Sequence, residues 1–288
     1  MKVEQTVVSL VRNAGVPISL YCWILDPIEM WGLNYIVELK GIIMHYKAII
    51  NGIEVNAIYR EEDIEKLFIP LLDRLSKMRE EKGSRILALL AAPPGAGKST
   101  LVSLLEHLSI SAIPGFKVQA LGMDGFHMRQ EYLLSHMVTV DGKETRMVDI
   151  KGSPVTFDLQ GLAGKIKEVS TGALCGWPVY DRLLHNPVED AITVDGDIVL
   201  IEGNYLLLDR EGWKDIRKYA DYTISVSADP QMLRERLISR KIASGTPREN
   251  AEKFVDFSDM ANVKLCLEET DRADLILTEA EGPSFIKI

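Results

Sequence analysis

The sequence predicts an α/β fold: a parallel β-sheet of about five strands with helices on both faces. The chain contains short, continuous apolar runs of the kind that form strands buried on both faces. These runs are 86–91, 118–123, 198–201, 222–226 and 275–277. Helical patterns separate most of the runs, and strands that alternate with helices indicate a parallel sheet. A glycine-rich turn directly follows the first run.

The composition is that of a globular protein and argues against several classes. The chain has 288 residues, 26% charged and 47% hydrophobic, with a net charge of −9. A general nucleic-acid binder needs a basic surface, so no nucleic-acid partner is expected. The three cysteines (Cys22, Cys175 and Cys266) include no CxxC pair. This argues against a disulfide framework or structural zinc, and it favours a reducing, cytoplasmic setting.

The first 43 residues do not join the strand–helix pattern. The stretch 16–37 is apolar, but charged residues and a proline within 26–29 interrupt it, so we predict neither a membrane helix nor a signal peptide. Two hypotheses stay open: an upstream start choice, with the natural start at Met44, or an appended element whose tryptophans pack on the core. The predicted divisions are the extension 1–43, a hairpin and helix 44–82, and the main domain 83–288.

The segment 44–82 predicts a β-hairpin followed by a helix. Two β-prone runs, 46–50 and 54–59, flank Asn51-Gly52, a pair that favours a tight hairpin turn. Apolar residues then recur at helical spacing over 61–81, where Pro70 is a place for a kink. Further helices are predicted over 98–108, 158–169 and 230–243.

Residues 92–100, Ala-Pro-Pro-Gly-Ala-Gly-Lys-Ser-Thr, predict a phosphate-binding loop of the P-loop type between a buried strand and a helix. The glycines permit the backbone conformations that turn amide groups towards phosphate oxygens. Lys98 is predicted to neutralise the β- and γ-phosphates of ATP, and Ser99 to ligate Mg²⁺. Ala92 stands where the motif has its first glycine, and we expect this small residue to be tolerated. The predicted nucleotide contacts are Gly95, Ala96, Gly97, Lys98, Ser99 and Thr100.

An acidic residue follows each of two other predicted strands. Asp124 comes directly after the run 118–123, and Glu202 comes directly after 198–201. Ligands gather at the carboxyl ends of strands in open α/β sheets. Phosphoryl transfer needs one carboxylate to take the proton of the acceptor hydroxyl and another to hold Mg²⁺. We assign the first role to Asp124 and the second to Glu202.

Basic and aromatic residues complete the predicted site. The helix that begins at Pro230 carries Arg236 and Arg240 on one face. Arginines of this kind close over the transferred phosphoryl group when they lie on a helical lid. The cluster at 177–185 combines tryptophan, tyrosine, arginine and histidine, and it predicts a surface that binds the acceptor.

These motifs together resemble the phosphoribulokinase/uridine kinase family, near its bacterial pantothenate kinases and a kinase-like protein of a fructose-transport operon. The resemblance runs from about residue 46 to the C-terminus and rests on segments 92–100, 124–127, 151–158, 178–185 and 202–208. It implies a P-loop fold with a lid, in which ATP and Mg²⁺ phosphorylate a hydroxyl of a small metabolite and Asp124 is the catalytic aspartate. The substrate contacts that it implies are His127, Tyr180, Arg182, His185 and Asn262.

We therefore predict an ATP-dependent kinase that transfers the γ-phosphoryl group to a hydroxyl of a nucleoside, a sugar or a pantothenate-like alcohol. The expected partner is this small-molecule acceptor, with no nucleic acid and no membrane, and a homodimer is compatible with the sequence. The alternative is a nucleotide-dependent switch that hydrolyses ATP slowly and binds a protein partner. Its docking surface would be the apolar N-terminal segment.

Overall fold

A computed structural model describes residues 43–50, 52–140, 142–280 and 284–288. The two hypotheses on the N-terminal extension concern residues 1–43, of which residues 1–42 lie outside the described residues. Residues Met44–Ile288 form one compact unit. Across the described ranges, no helix combines the length and the apolar character that crossing a bilayer requires.

The centre of the molecule is a sheet of six strands in the order β12-β11-β10-β3-β9-β4. Strands β11, β10, β3, β9 and β4 run parallel, which confirms the predicted sheet, and the antiparallel strand β12 was not predicted. The strands are β1 (Ile43–Ile50), β2 (Ile53–Arg60), β3 (Ile86–Ala91), β4 (Val118–Gly122), β5 (Met137–Val140), β6 (Lys143–Arg146), β7 (Cys175–Asp181), β8 (Asn186–Val194), β9 (Ile198–Gly203), β10 (Tyr222–Ser227), β11 (Leu275–Ala280) and β12 (Ser284–Lys287). The pairs β1-β2, β5-β6 and β7-β8 each form a separate two-stranded sheet.

Helices cover the sheet, and those predicted from the apolar spacing are present. The helices are α1 (Ile69–Lys82), α2 (Lys98–Ala112), α3 (Gln130–Ser135), α4 (Leu159–Ser170), α5 (Pro230–Ala243), α6 (Arg248–Phe254) and α7 (Met260–Glu269). Asp229 caps α5, because its side chain accepts hydrogen bonds from the backbone N–H groups of Gln231 and Met232. Helices α6 and α7 were not predicted.

The helical segment before α1 shows how Pro70 is accommodated. A short α-helical turn, Glu61–Asp63, leads into a π-helical segment, Ile64–Phe68, and α1 follows without a break. The N–H of Ile69 donates to the carbonyl oxygen of Ile64, so the turn before the proline is one residue wider than an α-turn. The predicted helix over 61–81 is therefore present, and a widened turn precedes the proline.

Strand β3 explains why the sheet is buried on both faces. All six of its residues are buried, and neighbouring residues point to opposite sides. Ile86, Ala88 and Leu90 pack in the core layer that contains α2 and α5. Leu87 and Leu89 pack in the layer that contains α4. The apolar run that predicted this strand is thus a core element shared by two layers.

The order of the strands determines where the site forms. In the register of the sheet, Ala91 of β3 is opposite Gly203 of β9, and Gly122 of β4 is opposite Glu202. The segments that follow β3 and β4 therefore leave the sheet at the same end, with Glu202 between them. The antiparallel hairpin β7-β8 was not predicted, although its first strand contains the aromatic cluster that the sequence singled out.

Candidate active site

The loop after β3 has the geometry of an anion cradle. Gly95 and Gly97 adopt φ values of 85° and 70°, a left-handed conformation that favours glycine. Helix α2 begins at Lys98, and no side chain of the described residues caps its first turn. Its first N–H groups are thus free to bind phosphate oxygens. Ala92 is buried, and its N–H donates to the carbonyl oxygen of Gly203 at 3.2 Å, so alanine continues the strand pairing at this position.

Ser99 and Glu202 meet beside this loop. The hydroxyl of Ser99 donates to Oε1 of Glu202 at 2.6 Å, and the Glu202 side chain is buried. Burial raises the pKa of Glu202, the negative charge of Asp124 raises it further, and Lys98 opposes both effects. A hydroxyl and a carboxylate beside a phosphate loop are the oxygen ligands that Mg²⁺ accepts together with substrate phosphates. The residues present therefore fit this ion.

Asp124 lies on a single 3₁₀ turn, Met123–Phe126, directly after β4. The strand ends one residue earlier than predicted. Close packing with β7 positions this turn: a Cβ on Gly125 would lie 2.1 Å from the carbonyl oxygen of Pro178. The turn can approach the hairpin so closely because residue 125 has no side chain.

The structure brings most of the predicted site residues around one cavity of about 410 Å³. This volume suits a small molecule. Lys98 and Asp124 line it together with the predicted acceptor contacts and one predicted lid arginine. The predicted residues at the cavity are Lys98, Asp124, His127, Tyr180, Arg182, His185, Arg240 and Asn262. Ser99 and Glu202 line a neighbouring cavity to which Asp124 and Tyr180 also contribute.

Arg236 lies outside the cavity. Its guanidinium forms a bidentate ion pair with Glu279 of β11, at 2.6 and 2.7 Å, and one of its nitrogens is 3.5 Å from the carbonyl oxygen of Gly95. Helix α5 packs against the phosphate loop, since a Cβ on Gly95 would lie 3.2 Å from Cγ of Leu237. Arg236 thus ties the phosphate loop to α5 and β11, whereas Arg240, one turn later, lines the cavity.

Aromatic contacts hold His127 at the cavity wall. Its ring stacks on Phe157 at 4.0 Å between centroids and meets the ring of Tyr180 edge-on at 5.2 Å. Burial lowers the pKa of His127 to about 4, although the negative charge of Asp124 acts in the opposite direction. The imidazole is therefore neutral at physiological pH, and among the described residues its buried Nδ1 has no hydrogen-bond partner.

The tip of the β7-β8 hairpin presents Arg182 and His185, both exposed. Oδ1 of Asp181 accepts hydrogen bonds from the N–H groups of Leu183 and Leu184, at 2.8 and 2.9 Å, and this closes the turn. His185 has a φ of 53°, which is uncommon for a residue other than glycine. Asp181 therefore shapes the turn, whereas Tyr180 and Arg182 on either side of it line the cavity.

Several cavity residues were not predicted as site residues. They are Pro94, Gln130, Lys151, Gly152, Asn204, Lys241, Phe254 and Asp259. Lys151 and Asn204 lie inside motifs that carried the family resemblance, so a signal for them was present. Phe254 was missed because no helix was predicted after residue 243, and it is the last residue of α6. Lys241 lies in the predicted helix 230–243, where only the arginines were singled out.

Comparisons with known proteins show what this chain is similar to. The model of the phosphoribulokinase/uridine kinase family matches residues 87–281. The uncharacterized protein YggC of Escherichia coli is 39% identical over 239 residues, which cover 83% of this chain and 97% of YggC. A pantothenate kinase of Lactococcus lactis is 26% identical over 62% of each chain. A crystal structure described as a "putative fructose transport system kinase", from Silicibacter sp. TM1040, has a TM-score of 0.64 and 28% identity, over 74% of this chain and 98% of that one.

Proposed function

The chain belongs to the phosphoribulokinase/uridine kinase family, and on that premise we propose that it transfers the γ-phosphoryl group of ATP to a hydroxyl of a small molecule. One observation carries the proposal. Lys98 of the phosphate loop and Asp124 line the same cavity as the five predicted acceptor contacts. ATP at the phosphate loop and an alcohol in the cavity would thus meet at Asp124. A nucleoside, a sugar or a pantothenate-like alcohol supplies such a hydroxyl.

In the proposed reaction, the hydroxyl oxygen of the acceptor bonds to the γ-phosphorus while the bond to the β,γ-bridging oxygen breaks and ADP leaves. The hydroxyl proton passes to a carboxylate oxygen of Asp124. Lys98 and the free N–H groups of α2 bind the phosphate oxygens and stabilise their charge. Mg²⁺ held by Ser99 and Glu202 would neutralise phosphate charge.

The two predicted lid arginines receive different roles. Arg240 lines the cavity and is suited to stabilise the transferred phosphoryl group. Both ends of the Arg236 guanidinium are bound by Glu279, so Arg236 positions the phosphate loop. The sequence predicted that both residues close over the transferred phosphoryl group, and these contacts favour that role for Arg240.

The acceptor cavity also favours a kinase over the nucleotide-dependent switch. A switch needs neither a base beside the γ-phosphate nor a cavity of this size opposite it. ADP release, measured with a panel of small alcohols and with candidate partner proteins, separates the two functions. Stimulation by one alcohol supports the kinase, whereas stimulation by a protein and by no alcohol contradicts it.

Asp124→Asn tests the proposed mechanism directly. The amide keeps the shape of the side chain but cannot accept the proton, so we expect turnover to fall by about 10²–10⁴-fold. ATP affinity, measured by calorimetry, should stay within about twofold, because the contacts of the phosphate loop are unchanged. The matched control Asp215→Asn changes an exposed carboxylate away from the cavity and should behave as wild type. Full turnover in Asp124→Asn would remove Asp124 from the mechanism.

A further inference from the structure

The cavity carries a charge that contrasts with the rest of the chain. The whole sequence has a net charge of −9. Cationic side chains nevertheless outnumber carboxylates around the cavity. The cationic residues are Lys98, Lys151, Arg182, Arg240 and Lys241, and the carboxylates are Asp124 and Asp259. A local positive cavity in an acidic protein indicates a ligand that brings negative charge.

Some of these cations have an assigned partner. Lys98 belongs to the phosphate loop, so the triphosphate is its partner in the proposed function. Lys241 lies 3.7 Å from a carboxylate oxygen of Asp259. Arg182 is exposed at the tip of the β7-β8 hairpin, so water screens its charge. Lys151 lies beside Tyr180 and Gln130 at the cavity, and its positive charge lowers the pKa of His127.

Among the described residues, the partners that hold Lys151 in place are neutral. Its Nζ donates to the hydroxyl oxygen of Tyr180 at 2.6 Å and to Oε1 of Gln130 at 2.7 Å. Both acceptors are neutral, and within the described ranges Lys151 forms no ion pair with a carboxylate. An ammonium group has three N–H donors, so one remains for a ligand. Burial lowers the pKa of Lys151, and no carboxylate counteracts this effect.

The backbone around Lys151 is also ordered by specific contacts. The next residue, Gly152, has a φ of 102°, and its carbonyl oxygen accepts a hydrogen bond from the buried hydroxyl of Tyr205 at 2.6 Å. Its N–H donates to the hydroxyl of Thr156 at 3.0 Å. The ammonium group is therefore presented by a fixed backbone and oriented by two side chains, as in a preorganised binding residue.

We propose that the acceptor carries an anionic group, a carboxylate or a phosphate, which binds Lys151 while a hydroxyl of the same molecule is presented to Asp124. This inference rests on the proposed function and narrows its substrate class. A neutral acceptor would leave a half-buried ammonium without a compensating charge, which is unfavourable. An anion completes the third hydrogen bond of Lys151 as a charge-assisted bond.

Binding to the complex with MgADP tests the inference, because the nucleotide occupies the phosphate loop. Calorimetry compares matched alcohols with and without the anion: D-glycerate with glycerol, pantothenate with pantothenyl alcohol, and ribose 5-phosphate with ribose. We expect at least one charged member to bind at least about tenfold more tightly than its neutral counterpart. The pair that shows the preference identifies the anion as carboxylate or phosphate.

Variants test whether Lys151 causes the preference for charged alcohols. Lys151→Met should abolish it, and Lys151→Arg, which keeps the charge, should retain most of it. Lys167→Met removes an exposed lysine of α4 and should leave the preference unchanged. The inference is overturned if neutral members bind as tightly, if no charged member binds, or if the preference survives in Lys151→Met.

Turnover with the same compounds separates this inference from the proposed function. Phosphoryl transfer to the neutral members at the rate of the charged ones would overturn the inference and leave the kinase function intact. Binding of a charged member that depends on Lys151, with no phosphoryl transfer to any alcohol, would support the anion site and overturn the kinase function.

Discussion

The phosphate-binding end of the sheet and the wall of the acceptor cavity are built in different ways. The phosphate end comes from one stretch, residues 92–100, with a carboxylate from the neighbouring strand β9. The wall of the cavity that receives the acceptor in the proposed function, which we call the acceptor wall, consists of the cavity residues in segments 127–152, 180–185 and 240–262. These segments are far apart in the chain and meet only in the folded protein.

The difference extends to the forces that hold each region. At the phosphate end, Ala92 continues the backbone pairing of β3 with β9, and Ser99 bonds to Glu202. The acceptor wall depends on side chains of the hairpin β7-β8. Nε1 of Trp177 donates to the carbonyl oxygen of Gly122 at 2.9 Å, and the rings of Phe126 and Trp177 meet at 4.9 Å. We therefore expect that the acceptor wall can be damaged while ATP binding survives.

Gly125→Ala should give the largest difference between the effect on turnover and the effect on ATP binding. Its new Cβ would lie 2.1 Å from the carbonyl oxygen of Pro178, and backbone has to move to relieve the overlap. Because that movement displaces Asp124 relative to β7, turnover should fall at least about 100-fold. ATP affinity should change less than about threefold, since the phosphate loop is held by its contacts with β9 and α5. Steady-state kinetics and nucleotide calorimetry measure the two effects.

Gly164→Ala is the matched control for this substitution. Gly164 lies in α4, and a Cβ placed there meets no atom of the described residues within 4 Å. Alanine should leave turnover unchanged and stabilise the protein by about 0.5–1 kcal/mol, because glycine is unfavourable inside a helix. Equal losses of turnover and ATP binding in Gly125→Ala would show that the two regions are not independent.

Glu202→Gln should affect the phosphate end alone. The amide keeps the size of the side chain but removes the negative charge beside Ser99. We expect the Mg²⁺ concentration for half-maximal turnover to rise by about 10–100-fold, a range typical when a group that supports a metal is lost. The KM for the acceptor, measured at saturating Mg²⁺, should stay close to that of wild type.

Glu106→Gln is the matched control for Glu202→Gln. Glu106 is a half-buried carboxylate whose pKa is raised by burial, and its Oε1 accepts a hydrogen bond from the N–H of Ala120 at 3.3 Å. It forms no hydrogen bond with Ser99 within the described part of the chain. The same rise in Mg²⁺ requirement in both variants would contradict a specific role for Glu202.

The two regions also differ in how far the sequence predicted them. Local patterns predicted the phosphate end: the buried run 86–91, the glycine-rich loop and the acids after two strands. In the structure these features lie together, with the loop and the acids at one end of the sheet. The hairpin β7-β8 and helices α6 and α7 were missed because their placement depends on long-range packing. The role of Lys151 could not be predicted from the sequence, because Gln130 and Tyr180, which orient its ammonium group, are distant from it in the chain.

The smallest predicted effect concerns the response of each region to pH. The unfolded chain protonates His127 near pH 6.5, whereas the folded protein does so at about 4. Between these values the unfolded state binds the extra proton, so acidification destabilises the fold by up to about 1.4 kcal/mol per pH unit through this residue. Glu202 acts in the opposite direction, because its folded pKa is raised and its contribution to stability falls as pH rises.

Urea unfolding of wild type and His127→Gln at pH 7, 6 and 5 isolates the contribution of the histidine. Glutamine does not titrate, so the difference in unfolding free energy between the two proteins should shrink as the pH falls. Contributions of Glu202 and of the other carboxylates are common to both proteins and cancel in that difference. Parallel pH dependences would mean that His127 takes up its proton equally well in the folded state, and that the acceptor wall is more open to water than its packing on Phe157 implies.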